Sequence, residues 1–268
     1  MRLFDQIVLE QKDEVQKLRA VAKDFVQNRL APCPEILGVL LTGSVGRGDA
    51  RISPMGIHID LAVVVNKKQE INLESMFGPS AKPFIPYHIV LLDDTIGIAL
   101  ETVEMEYLRN IRSQYEPVIF AKNESQVLLD RTGALAEWKR TAFTITEEEI
   151  KSRALVFQSR FAYLNGQYRI EKWSHREAWI QINQNFNEAC ECYCRFLYCI
   201  NGYFIPRNDW LVYLTYSLEE KPENHAELLE KAYTAENNKP AVSERHTALL
   251  EMQEWVNSYN DQKGWRKK

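Results

Sequence analysis

No stretch of the 268-residue chain approaches the roughly 18 consecutive apolar residues of a membrane-spanning helix, so no membrane partner is expected. The opening MRLFDQIVLEQKDEVQ carries charge throughout and lacks the apolar core of a signal peptide, which points to a cytoplasmic setting. A basic excess is missing as well. The 33 Lys and Arg are outnumbered by 37 Asp and Glu, which argues against nucleic acid as a partner. A small anionic ligand needs only a local positive pocket, so the acidic balance leaves that class open. Neither an internal repeat nor a low-complexity tract is present. What remains, 45% hydrophobic and 26% charged residues, is the composition of an ordinary globular chain, long enough for one large domain or two medium ones.

Cysteine is scarce, and four of the five fall in CECYCRFLYC, at 190, 192, 194 and 199. The segment reads as helix, which puts Cys190 and Cys194 on one face and Cys192 and Cys199 on another. Without a CxxC pair, thiolates spread round a helix cannot converge on one ion unaided. Buried structural thiols in a reducing compartment are the expectation.

The hydrophobic pattern predicts a helix over 5–30, ended by Pro32 and Pro34, and then strands over 36–42, 57–65 and 87–94. The run 77–86 reads as loop, 98–113 is ambiguous, and EPVIFAK at 116–122 reads as a short last strand. After about residue 140 the period becomes helical. Thr146 with Glu149, and Ser174 with Glu177, look like capping boxes that open two helices, the second running to Asn201-Gly202. Further helices are expected near 208–219, 223–235 and 242–259, with a frayed basic tail from 263 to 268. The class is α+β: a mixed sheet with flanking helices in a domain over 1–135, then an all-helical bundle over 140–260.

Chemistry concentrates at the junction of the first two strands. Gly43-Ser44-Val45-Gly46-Arg47-Gly48 follows an apolar strand directly. Glycine lets the backbone turn tightly and approach a ligand, and a hydroxyl beside free N–H groups at a helix start makes an anion site. Gly43, Ser44 and Gly46 are therefore candidate phosphate contacts, with Arg47 adding charge one turn on. On the next strand His58 and Asp60, two residues apart, share a face.

The stretch LLTGSVGRGDARISPMGIHIDLAVVV resembles the core of the DNA polymerase β-like nucleotidyltransferase superfamily, most of all its small bacterial members, which include antibiotic nucleotidyltransferases. The segment INGYFIPRNDWLVYL is similar to one found in bacterial members with a helical C-terminal half. The resemblance implies transfer of a nucleoside monophosphate from a nucleoside triphosphate, with ATP the leading choice, to a hydroxyl of a small-molecule acceptor. Alternatively, a copy that has lost catalysis would serve as a nucleotide-binding or regulatory module. In the family, two Mg²⁺ ions rest on an Asp-x-Asp pair and a third carboxylate. Here Gly43 and Ser44 match the turn and Asp60 the second acid, while His58 stands where the first belongs. His88, in the third strand, occupies the place expected for the last acid, and Asp93 and Asp94 fall at that strand's end. His58, Asp60 and His88 are thus candidate metal ligands, for Mg²⁺ or for an ion that accepts imidazole better, Mn²⁺ or Zn²⁺. Ordinary strand histidines are the alternative for both. Glu177 and Glu188 are the candidates for a base from the helical half, with exposed helix-face carboxylates as the plainer reading.

Overall fold

The computed structural model describes residues 3–233, 236 and 238–265, with side chains from residue 12 onward, and divides into two compact units, Met1–Thr144 and Ile145–Lys268. Parts of the expected 223–235 helix and of the basic tail, at 234–235 and 266–268, lie outside the described residues.

The first unit starts with α1 (Leu3–Phe25), continued by a wider π-helical turn over Val26–Leu30. Next come β1 (Gly38–Leu41), α2 (Gly43–Arg47), β2 (Ile57–Val65), α3 (Leu73–Phe77), β3 (His88–Leu91) and β4 (Ile96–Glu104). Helices α4 (Met105–Arg109) and α5 (Glu116–Asn123), strand β5 (Gln126–Asp130) and α6 (Ala134–Thr141) complete the unit. The sheet runs β3-β4-β2-β1-β5, with β2 parallel to β4 and every other pairing antiparallel. Strand β2 sits at its centre, and the near-continuous run LAVVV fits a strand covered on both faces. On one face Ile59, Leu61 and Val63 join Leu18, Phe25 and Leu30 of the first helical segment in a core. On the other, Ala62 and Val64 pack with Leu40, Val103, Leu108, Leu135 and Trp138. The N-terminal end of β2, at His58 and Asp60, is only half buried, so the sheet opens there.

Two sequence expectations for this unit fail, each for a local reason. The run 116–122 is helix. Pro117 lies in the first turn of α5, where its fixed φ suits a helix and its missing N–H costs nothing, and Glu116 favours the N-terminal dipole. The last strand is instead the adjacent QVLLD, which pairs with β1. The ambiguous segment 98–113 opens in β4, a nine-residue strand, and continues into α4 and a short 3-10 turn. The third strand covers only 88–91, and Asp93 folds back to accept hydrogen bonds from the backbone of Thr95 and Ile96, making the tight β3–β4 turn.

The second unit is all helical: α7 (Glu147–Leu164), α8 (Gln167–Ser174), α9 (Trp179–Ile200), α10 (Asn208–Leu211), α11 (His225–Ala232) and α12 (Lys239–Gln262). Thr146 caps α7 through a bond from the Glu149 N–H (3.2 Å). The core gathers round α9, whose Phe186, Cys190, Tyr193, Cys194 and Leu197 are fully buried. Burial pushes the thiols up, Cys190 to about 12 and Cys192 to about 11, and Cys194 well above its usual range. Protonated thiols are poor metal ligands.

Ser174 and Glu177 do not open α9. Ser174 ends α8, and the chain then closes a Schellman turn: Ala178 N–H donates to the Trp173 carbonyl (3.1 Å) and Glu177 N–H to that of Ser174 (2.9 Å). Glu177 takes the left-handed position at φ 52°, the one non-glycine residue described with positive φ. That conformation crowds a Cβ, and glycine is the residue that normally fills it. Glu177→Gly is therefore expected to stabilise the helical unit by about 0.5–1 kcal/mol. Thermal unfolding checks this, and a midpoint that stays put or falls would refute it.

Candidate functional site

The end of β1 and the open end of β2 meet through the backbone. Thr42 N–H donates to the Asp60 carbonyl (2.8 Å), and α2 begins at the next residue. Gly43 has φ 62°, and a Cβ built on it falls 2.0 Å from Asp60 Oδ2, so the space an L side chain needs holds the carboxylate. Asp60 thus lies against the start of α2, where the helix presents N–H groups and the positive end of its dipole. The first bond inside the helix is Gly46 N–H to the Thr42 carbonyl (3.1 Å), which leaves the N–H groups of Gly43, Ser44 and Val45 facing out of its first turn. The Ser44 hydroxyl makes no hydrogen bond to the described residues.

The far end of α2 is locked. Arg19 donates to the Val45 and Gly46 carbonyls (3.0 and 2.8 Å), and Gln126 Nε2 donates to Gly46 (2.6 Å). A cation on the last carbonyls suits the helix dipole and fixes the direction of the opposite end. Nothing local in the sequence marks these two residues, which come from α1 and β5. Arg47 is placed differently from the expectation. It ends the helix, its side chain is 11% exposed, and it pairs with Asp49 (3.1 Å).

His58 shares the Asp60 face, and its ring lies over Gly97, where a Cβ would fall 2.9 Å from His58 Cδ2. Its Nε2 lies 3.2 Å from the Lys82 ammonium. An ammonium has only donors, so Nε2 must be the acceptor, and His58 is a neutral ring carrying its proton on Nδ1. Burial first, and then the Lys82 charge, push its pKa below the ordinary histidine value. Lys82 sits in the loop after α3, and its only described side-chain partner is this imidazole.

His88 does not join them. It pairs with Leu100, which stands opposite Leu61, whereas Asp60 stands opposite Ala99. One residue of register puts a side chain on the other face, so His88 is turned away from Asp60 and packs against Phe77 (6.3 Å between rings). The acid that does share the Asp60 face is Glu101, one β4 position beyond the neighbour of Asp60 on that face. It lay in the segment whose period was ambiguous. Its carboxylate already holds the buried Lys122 ammonium at 2.6 Å.

The three-carboxylate set that the resemblance implies is therefore not assembled on this face. Among the described residues no group of three or more His, Cys, Asp or Glu gathers to hold an ion. Asp60 supplies one carboxylate, the His58 Nε2 lone pair is engaged by Lys82, and Glu101 is neutralised by Lys122. A Mg²⁺ ion here would have Asp60 as its one protein carboxylate and would take its remaining oxygens from water and from the nucleotide's own phosphates. In the helical unit, Glu188 forms an ion pair with Arg160 (2.6 Å) and Glu177 holds the strained turn, so each has a structural explanation.

Residues 112–211, well under half of the chain, match the family model described as a domain of unknown function, DUF4037. No curated protein matches the sequence. Among solved structures, the chain is similar to a nucleotidyltransferase-like protein from Exiguobacterium sibiricum, with 12% identity and a TM-score of 0.43, over 91% of this chain and 75% of that one.

Proposed function

We propose that this chain is a nucleotide-binding protein of the nucleotidyltransferase type, which holds the phosphates of a nucleoside triphosphate, ATP in the first instance, at the Gly43-Ser44 turn. The observation that carries this reading is the packing of Gly43 against Asp60, 2.0 Å from a would-be Cβ to Oδ2. A glycine forced by a neighbouring carboxylate, followed by outward N–H groups and an uncommitted hydroxyl, supports phosphate recognition beside an acid. The ligand set of Asp60 and His58 favours binding over transfer, because loss of a metal-binding carboxylate removes charge and hard oxygen donors together.

Transfer of a nucleoside monophosphate to a hydroxyl of a small molecule is the second reading, favoured by the presence of Asp60 at the turn. Titration calorimetry with ATP separates both from an unrelated role: heat is expected, and its absence with Mg²⁺, Mn²⁺, Zn²⁺ or chelator would sink both. Pyrophosphate release across a panel of hydroxyl acceptors then distinguishes them. The binding reading expects none from the wild type, with turnover appearing, if anywhere, in His58→Asp. Wild-type release that His58→Asp abolishes would establish transfer instead.

A further inference from the structure

The two half-buried groups at the open end of β2 are an acid and a neutral ring, and the ring carries a cation. We propose that Lys82, held by His58, is a phosphate-binding residue that supplies in fixed form the positive charge a divalent ion would bring, so that ATP binds without metal. The inference rests on the nucleotide reading above and deepens it.

Lys82 has an unusual partner. An exposed lysine ordinarily stays in water or pairs with an acid. Here the ammonium meets an imidazole nitrogen at 3.2 Å, although the contact pairs a full charge with a neutral acceptor and depresses the basicity of His58. No carboxylate among the described residues bonds to Lys82, so its charge is not neutralised. The arrangement also holds the side chain in place. A lysine loses about 2 kcal/mol of rotamer freedom when ordered, and a bond to His58 lowers what remains to be lost when a ligand arrives.

Position gives the second part. His58 and Asp60 project from one face two residues apart, roughly 6.6–6.8 Å along the strand, and Asp60 touches Gly43 at the head of α2. The ammonium reaches that face from the loop side. A phosphate chain lying along the turn would meet N–H groups at one end and Lys82 at the other, with Asp60 between them. Asp60 alone would repel the ligand, and a local cation is required to offset it. On the neighbouring strand the Lys122–Glu101 pair also sets an ammonium on a group of the same sheet face. One acid of this face, Glu101, and its imidazole are thus each served by a lysine.

The test is titration of ATP into the full chain in excess EDTA and in Mg²⁺, for wild type, Lys82→Met, Lys82→Arg and His58→Asp. Lys82 is exposed, so the variants are expected to fold, and circular dichroism confirms it. Wild type should bind ATP in EDTA within about threefold of its affinity in Mg²⁺. Lys82→Met should lose about tenfold or more in EDTA, the size of one charge-assisted bond, and Lys82→Arg should keep most of the affinity. His58→Asp should neutralise Lys82 and make binding depend on Mg²⁺, a reversal that a purely structural lysine would not produce. Binding that is strictly metal-dependent in the wild type, or equally tight in Lys82→Met, would overturn the inference and leave the nucleotide reading standing. Absence of ATP binding under every condition would overturn both.

Discussion

Arg245→Ala should destabilise the helical unit by roughly 3–4 kcal/mol. Arg245 is 2% exposed on α12 and has no carboxylate partner among the described residues. Its guanidinium is shared among neutral acceptors: Nε donates to the Ala232 carbonyl (2.6 Å), Nη1 to Asn183 Oδ1 (2.6 Å) and Nη2 to Asn187 Oδ1 (2.7 Å). Its Cζ also lies 5.4 Å from the centre of the Phe186 ring, within cation–π range. Ala232 is the last residue of α11, so the charge stands where that helix presents its negative end. Burial depresses the guanidinium pKa below its ordinary value, which means the native state carries a desolvation cost for this charge. The acceptors and the ring offset it.

Removing the side chain takes a charged donor from the Ala232 carbonyl and from Asn183 Oδ1, at about 1–3 kcal/mol for each buried group, and opens a cavity beside Phe186. The vanished desolvation cost returns part of this. Arg245→Met tests the balance, since a methionine fills the channel without a charge and should lose about half as much. Five of the six tryptophans lie in the helical unit, so urea unfolding followed by fluorescence reads it preferentially. If Arg245→Met matches or exceeds wild-type stability, desolvation outweighs the bonds and this account of the residue is wrong.

Local signals were the legible ones. The first two strands, the Gly-Ser turn between them and the Thr146 cap could all be placed because each is written in a few adjacent residues, as was the change from a sheet period to a helical one near 140. What escaped depends on pairing. A short apolar run does not distinguish strand from helix, so 116–122 reads as the last strand and 126–130 carries no assignment until its pairing with β1 is seen. The face of His88 follows from the register of an edge strand against β4, and β4 itself was hidden by an indistinct period. Asp60 and His58 could be put on one face from alternation alone. Lys82, Glu101 and Lys122 could not, because a loop lysine twenty-four residues from His58 carries no local mark of its contact. Arg245 was equally invisible: a lone arginine in an amphipathic helix reads as surface until α9 and α11 close round it.

Gly43→Ala should abolish ATP binding and destabilise the first unit by about 2–3 kcal/mol, more than a left-handed glycine replacement does alone. Gly133 supplies the comparison within the same unit. Both glycines have positive φ, 62° at Gly43 and 78° at Gly133, so both pay the strain of a Cβ in that region when replaced by alanine. Around Gly133, however, a Cβ meets nothing within 4 Å, whereas at Gly43 it would fall 2.0 Å from Asp60 Oδ2 and 3.0 Å from its Cγ. Gly133→Ala should therefore cost only the backbone term, about 1 kcal/mol, and the excess at Gly43 measures the collision. The carboxylate can escape by rotating away, but that takes it off the start of α2 and disrupts the geometry on which phosphate binding depends. A double-mutant cycle isolates the effect. Adding Asp60→Ala to Gly43→Ala removes the clash, so most of the excess instability should vanish, giving a coupling of about 1–2 kcal/mol between the two sites. Nucleotide affinity, in contrast, should stay lost in the double mutant, because alanine at this positive φ still shifts the turn whose N–H groups the phosphates would meet. Additive destabilisation, or ATP binding retained by Gly43→Ala, would show that the close approach of turn and carboxylate is incidental to the ligand.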